Sequence, residues 1–303
     1  MPMGEVIDLG FLGLGQMGGA MAERLLAKDV RLHVFDPSPT ATAYFTERGA
    51  LGHPSPRSVA DAASIVFACL PSRKVSDEVT LGESGVAKGS AIKIYVEMST
   101  IGRTCIQSIA QALASRGIHT VDAPISGGPP RAREGMLAMM VAGNAADVSA
   151  VSPWLRRIGK EVYVLGDTPG QAQIMKLVNN LVMAANMVVA SEGLVLGAKA
   201  GLEPSRMMDV LNAGTGRSAA SADILARAAL TGAFDFGARL AIVDKDVALG
   251  LDEAEALGVP VAAIAQAGKA WRDAATGGRS EDDFSSIIKL IEERGGAVVR
   301  ARR

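Results

Sequence analysis

Lys176 and Asn180, four residues apart, are the pair in this 303-residue chain best suited to moving a proton to or from a small molecule. On a helix they share one face, with Asn179 three residues from the lysine and slightly rotated from it. A solvated lysine has a pKa of about 10.4. Desolvation disfavours its charged form and would bring it towards about 7 to 8, where general acid/base work contributes roughly 10² to 10⁴ in rate. Ser126-Gly127-Gly128 offers a hydroxyl and two unhindered backbone N–H groups, a nest suited to a carboxylate, or else a plain structural turn. His33, His53 and His119 lack ligand spacing, and Cys69 and Cys105 stand apart, so no metal and no Cys/His or Ser/His/Asp set is expected.

A third constellation is rich in glycine. Gly13-Leu14-Gly15-Gln16-Met17-Gly18 directly follows an apolar strand pattern and opens a helical one through Met21, Leu25 and Leu26. In that context Gly13 serves a tight turn, Gly15 lets backbone approach a pyrophosphate, and Gly18 lets helix and strand pack closely. Phosphates would sit at the helix N-terminus, where N–H groups and the dipole favour anions. The next strand ends in Asp36, placed to accept hydrogen bonds from both ribose hydroxyls of NAD, with a helix-capping role as its structural alternative. Its charge would repel a 2′-phosphate by about 1 to 4 kcal/mol per charge pair at 4 Å. Pro37-Ser38-Pro39 adds no arginine, so NAD is expected as cofactor, with NADP as the alternative.

The elements that must position these residues fall into two halves. Short β-rich runs at Val6–Leu12, Leu32–Phe35, Ser64–Leu70, Ile92–Met98, Ile118–Val121 and Leu137–Val141 alternate with helical patterns. That rhythm predicts α/β architecture: an N-terminal doubly wound Rossmann sheet of parallel strands over residues 1–166. After Gly166-Asp167-Thr168-Pro169-Gly170 the strand signal stops, which predicts an all-α C-terminal domain over 167–303. It should begin with a long helix linking the domains, capped by Thr168 or Asp167 with Pro169 at its first position. Gly193, Gly197 and Gly201 would share one face of that helix, serving tight packing within the chain or contact with a second copy.

Bulk properties narrow the partners. Lys plus Arg (31) nearly cancel Asp plus Glu (32), which argues against nucleic acid or an anionic membrane as partner. The start, Met1 to Glu5, lacks a signal-peptide pattern, and with so few cysteines a cytoplasmic location is expected. Leu181 to Ala200 is apolar but interrupted by Asn186, Ser191 and Glu192, and reads as a buried helix rather than a membrane span. The end, Arg300-Ala301-Arg302-Arg303, reads as a frayed tail.

Taken together, Gly13 to Ala22, Asp122-Ala123-Pro124-Ile125-Ser126-Gly127-Gly128, Lys176-Leu177-Val178-Asn179-Asn180 and Lys245-Asp246 resemble, in order, four motifs of the β-hydroxyacid dehydrogenase family. The resemblance implies an NAD(P)-dependent oxidoreductase interconverting a small 3-hydroxy acid and its semialdehyde or oxo acid. It further implies that Leu70-Pro71 lies along the cofactor, Ser99-Thr100 near the nicotinamide ribose, and Lys245 closes over the cofactor. Ser126, Gly127 and Gly128, with Asn179, would bind the substrate, Lys176 would be the catalytic lysine and Asn180 its orienting partner. A small carboxylate-bearing substrate and a homodimer or homotetramer follow from the same likeness. The family commonly has a small residue where Arg131 stands and a second glycine where Ala172 stands. Arg131 could recognise an additional anionic group or simply be exposed at a loop–helix junction. An imine reductase-like enzyme and a non-catalytic dinucleotide sensor are the competing readings, and Lys176 with Asn180 argues against both.

Overall fold

In the computed structural model, which describes residues 6–301, the chain divides into two compact units, Met1–Lys176 and Leu177–Arg303. The expectations placed on Met1 to Glu5, and on Arg302 and Arg303, lie outside the described residues.

The first unit is built on nine strands: β1 (Ile7–Leu12), β2 (Val30–Phe35), β3 (Leu51–Gly52), β4 (Ile65–Ala68), β5 (Ile94–Glu97), β6 (His119–Asp122), β7 (Ile125–Ser126), β8 (Leu137–Ala142) and β9 (Gly159–Gly166). Its helices are α1 (Gln16–Glu23), α2 (Pro39–Thr46), α3 (Pro56–Ala62), α4 (Arg73–Leu81), α5 (Arg103–Ala114), α6 (Gly128–Arg133) and α7 (Ala145–Ile158). The strands lie in the order β3-β2-β1-β4-β5-β6-β8-β7, with β9 beside β8. Strands β1 to β6 pair in parallel. Along β4, Phe67 joins the apolar layer that contains Leu9 and Met21, whereas Val66 and Ala68 join the layer that contains Tyr95 and Ile109. Successive residues are therefore buried on opposite faces, as in a sheet covered by helices on both sides.

The sheet is mixed rather than wholly parallel, because β8 runs antiparallel to β6 and β7. A parallel crossover takes a dozen or more residues and usually a full helix. Here β7 and the six-residue α6 occupy the connection and turn the chain back. Strand β9 has no clear apolar alternation, with Tyr163 and Val164 exposed, and its pairing with β8 defines it.

The second unit is helical: most of α8 (Gln171–Lys199), then α9 (Pro204–Ala213), α10 (Leu225–Ala228), α11 (Leu240–Ala256), α12 (Ala262–Ala274) and α13 (Ile287–Gly295). Its core gathers Leu181, Ala184, Met187, Leu194 and Trp271, whose Nε1 donates to Ala184 O at 3.1 Å. Among the described residues, α8 is a helix long and apolar enough to cross a membrane by length and composition; 44% of its apolar window is buried, with Leu181, Ala184, Met187 and Leu194 in the core just described.

Two local expectations change. Gly193 and Gly197 do not work with Gly201 as one face. Gly193 is open, Gly197 lies under Met207, and Gly201 (φ 90°) comes after the helix end, where Leu202 N donates to Gly197 O. A left-handed stop of this kind needs no Cβ. Nor does the chain fray at Arg300: its guanidinium binds Glu292 at 2.7 Å and Ala301 N donates to Leu230 O.

Candidate active site

The glycine turn between β1 and α1 has a separate physical reason at each position. Gly13 has φ 86°, and a Cβ there would lie 2.3 Å from Cys69 O. A Cβ on Gly18 would lie 2.0 Å from Gly13 O, so the helix could not close on the turn. At Gly15 a Cβ would meet nothing within 4 Å, which leaves bare backbone facing outward at a helix start that no side chain caps. Gln16 and Met17 form the first turn of α1, and Leu14 N donates to Asp36 Oδ2 at 2.7 Å. Asp36 Oδ1 accepts from Ser38 N at 2.8 Å, so one carboxylate ties the end of β2 to both the glycine turn and the start of α2. It also lines an open groove of about 640 Å³ with Pro37, Thr42, His53 and Pro54. Exposed backbone donors at a helix start and a carboxylate in an adjoining groove fit a dinucleotide's pyrophosphate and ribose.

The histidines are less isolated than their spacing suggests. His33 contacts His53 through Nδ1 and Nε2 at 2.8 Å, and its own Nε2 lies 2.8 Å from Asp8 Oδ1. Burial, and then the neighbouring His33, hold His53 below its ordinary pKa. His119 contacts Asp147 at 2.8 Å. Among the described residues no cluster of His, Cys, Asp and Glu suited to a metal occurs.

At the strand ends, Leu70 N donates to Ser99 Oγ at 2.6 Å, which joins the Leu70-Pro71 and Ser99-Thr100 segments. Beneath them Glu97 is fully buried, accepting from Ser99 N and from the Tyr95 hydroxyl. Burial pushes its carboxyl above the usual range. Two residues given no role in the sequence reading stand beside this group. Asp122, at the end of β6, accepts from Gly170 N and Gln173 N, and Gln173 Nε2 donates to Asp122 Oδ1 at 2.8 Å. Helix α8 is thus capped by a carboxylate 48 residues earlier in the chain, not by Thr168 or Asp167. The signal available was Asp122 itself, a charged residue ending an apolar strand pattern.

The turn after β7 uses Gly127 at φ 142° and Gly128 at φ 74°, conformations that favour glycine. Ser126 is paired in β7 with Ala138, and the stem of Arg131 packs where a Gly127 Cβ would stand. Lys176 follows Gln173 by one turn of α8 and is half-buried. One turn further along, Asn179 Nδ2 donates to Asn180 Oδ1, and Asn180 Nδ2 donates to the buried Asp246 Oδ2 at 2.6 Å. Lys245 Nζ lies 2.9 Å from Asp246 Oδ1, an ion contact without hydrogen-bond alignment. The second unit therefore gathers Asn179, Asn180 and Lys245 around Asp246, which the motif named only as the partner of Lys245.

Residues 8–166 match the NAD-binding domain of 6-phosphogluconate dehydrogenase, and residues 170–291 the NAD-binding domain of NADP-dependent 3-hydroxyisobutyrate dehydrogenase. The chain is 34% identical to the 2-(hydroxymethyl)glutarate dehydrogenase of Eubacterium barkeri, across 98% of this chain and 99% of that protein. It is 32% identical to the 2-hydroxy-3-oxopropionate reductase of Escherichia coli, across 94% and 97%. The solved 3-hydroxyisobutyrate dehydrogenase of Mycobacterium tuberculosis with L-serine superposes with a TM-score of 0.85 at 26% identity, covering 94% of this chain and 99% of that one. A glycine turn built for a dinucleotide, a lysine and two asparagines on one helix, and full-length matches of this kind identify the chain as a member of the β-hydroxyacid dehydrogenase family.

Proposed function

We propose that this protein is an NAD(P)-dependent dehydrogenase of a short 3-hydroxy acid, with NAD preferred and Lys176 carrying the proton. The reading rests on one observation above others: Lys176, Asn179 and Asn180 occupy consecutive turns of α8, directly after the residues that tie this helix to the strand ends. The Gly13 to Gly18 turn, Asp36, Leu70, Pro71, Ser99 and Thr100 would hold the dinucleotide, which when bound supplies the hydride acceptor or donor. Ser126 with the N–H groups of Gly127 and Gly128 would bind the substrate carboxylate. In oxidation the neutral Lys176 amine takes the hydroxyl proton as the carbonyl forms; in reduction the ammonium returns it to the carbonyl oxygen. Asn180, fixed by Asp246, orients the reacting oxygen. Asp36 supports NAD over NADP, because its charge stands in the ribose groove.

Two further features belong to this reading. Arg131, packed on Gly127, is the side chain expected to recognise a second anionic group such as the extra carboxylate of 2-(hydroxymethyl)glutarate. Val178, Val182, Val189 and Leu196 form an exposed apolar stripe on α8, expected to be covered in a homo-oligomer.

The test is NADH formation with 3-hydroxyisobutyrate, 2-(hydroxymethyl)glutarate and glycerate, for the wild type, Lys176→Ala and Arg131→Gly. Lys176→Ala should lower kcat about 10² to 10⁴-fold with dinucleotide binding kept. Arg131→Gly should selectively lose the acid with two carboxylates. NAD binding without turnover in the wild type would leave a sensor instead.

A further inference from the structure

We infer that Asp122 and Gln173 are positioning residues that lock the lysine-bearing helix to the cofactor-side and substrate-side loops; the inference rests on the proton-transfer role proposed for Lys176. The Gln173 amide is saturated. Its Oε1 accepts from Ile101 N at 2.9 Å and Gly102 N at 3.0 Å, and its Nε2 donates to Ser99 O at 3.0 Å and to Asp122 Oδ1 at 2.8 Å. Asp122 uses its other oxygen for Gly170 N and Gln173 N, at 2.9 and 3.1 Å. Both side chains are fully buried, so water cannot replace a lost partner.

The connectivity gives the pair its role. Gln173 holds the loop that follows Ser99-Thr100; Asp122 stands four residues before Ser126; Lys176 is one helical turn beyond Gln173. A shift in this contact moves the amine against both loops, and a misplacement of about 1 Å can cost 10²-fold in rate. The amide orientation is fixed as well: Oε1 must face two N–H groups, so Gln173 cannot turn over to suit a changed residue 122.

Asp122 also gives the clamp a pH response. Burial raises its carboxyl to about 6, with hydrogen bonds from Gln173 and Gly170 opposing and Glu97 adding to the rise. Besides Glu97 on β5, the ionisable groups packed about the clamp are Tyr95, which binds Glu97, Arg73, whose Nε donates to Ile101 O, and Arg103, packed against Gly170. A folded pKa above the unfolded value means that the folded state takes up a proton between about pH 4 and 6. Stability from this group therefore falls as pH rises through that window. All three bonds to Asp122 need an acceptor, and a proton on the carboxyl turns one oxygen into a donor, so the geometry of the closed clamp, as distinct from overall stability, is perturbed as pH falls below about 6.

The experiment uses Asp122→Asn, Gln173→Glu and the double variant, read in the reducing direction with NADH and 2-hydroxy-3-oxopropionate. There the Lys176 ammonium persists at low pH, so an acid limb belongs to another group. Asp122→Asn sets an amide donor against Gln173 Nε2, and Gln173→Glu sets carboxylate against carboxylate. Together they restore the donor–acceptor pair between 122 and 173 but not the bond from Gln173 Nε2 to Ser99 O, so recovery in the double is partial. Each single variant should lower kcat about 10- to 100-fold with the NADH dissociation constant changed less than about threefold, and the double variant should recover about tenfold. The acid limb near pH 6 should vanish in Asp122→Asn. Hydrogen exchange at Ile101, Gly102, Gly170 and Gln173 should quicken in the single variants and slow again in the double. Wild-type kcat in the single variants, no recovery in the double, or an acid limb kept in Asp122→Asn would each overturn the inference. Full activity of Lys176→Ala would instead remove the reading beneath it while these exchange rates still reported on the clamp.

Discussion

Individual residues in this protein take their chemistry from what surrounds them. Cys69 and Cys105 are both pushed up to about 12, chiefly by burial, with Glu97 next for Cys69 and Asp77 for Cys105. The thiolate is the nucleophile, and at that pKa almost none is present near neutrality. Neither thiol should therefore react with N-ethylmaleimide at pH 7.5 within an hour, and activity should be unaffected; intact mass before and after treatment checks this, and rapid labelling of folded protein would contradict it. The same dependence on surroundings governs Asn180. Its amide is aimed by Asp246, 66 residues on, and its spacing from Lys176 says only that the two share a helix face. Sequence therefore revealed which residues could act, through type and local spacing, and placed Asp122 and Asp246 within recognisable motifs, but not the contacts by which these carboxylates hold them.

At the scale of elements, the strand–turn–helix of β1 and α1 is the most legible piece, because its glycines answer to local geometry. They should nonetheless respond differently to the same methyl group. Gly13→Ala places a Cβ against Cys69 O in a left-handed conformation and should destabilise the fold by roughly 1 to 3 kcal/mol. Gly15→Ala meets no protein atom, so the variant should melt as the wild type does yet bind NADH about tenfold more weakly. Thermal melting and fluorescence titration separate the two, and equal binding by Gly15→Ala and wild type would place the pyrophosphate elsewhere. Helix α8 was legible as one long helix but not in its start or its capping: it begins at Gln171 rather than Pro169, after Gly170 at φ 106°, and the cap comes from β6 across the fold. Strands β7 and β9 were not legible: one is two residues long, and the other is an exposed edge defined by its partner.

For the whole molecule, the exposed stripe of α8 makes an assembly testable. Val189 and Leu196 are 63% and 73% exposed on a helix whose opposite side is core. Covering such a stripe removes apolar surface from water, at about 25 cal/mol per Å². Light scattering should give at least twice the mass of one chain, falling towards one in Val189→Glu/Leu196→Glu; a monomeric wild type would end that proposal. What sequence alone determined here is whatever repeats or clusters within about twenty residues: the alternation of strands and helices, the turn to an all-helical half, the glycine motif with Asp36, and the lysine–asparagine face. Periodicity and turn chemistry are local, and they survive without knowledge of the fold. The tertiary structure alone decided the antiparallel turn at β8, the Asp122–Gln173 clamp and the Asn180–Asp246 bond. Each joins residues distant in sequence, and such pairings are set by which buried polar groups must find partners once the core has closed.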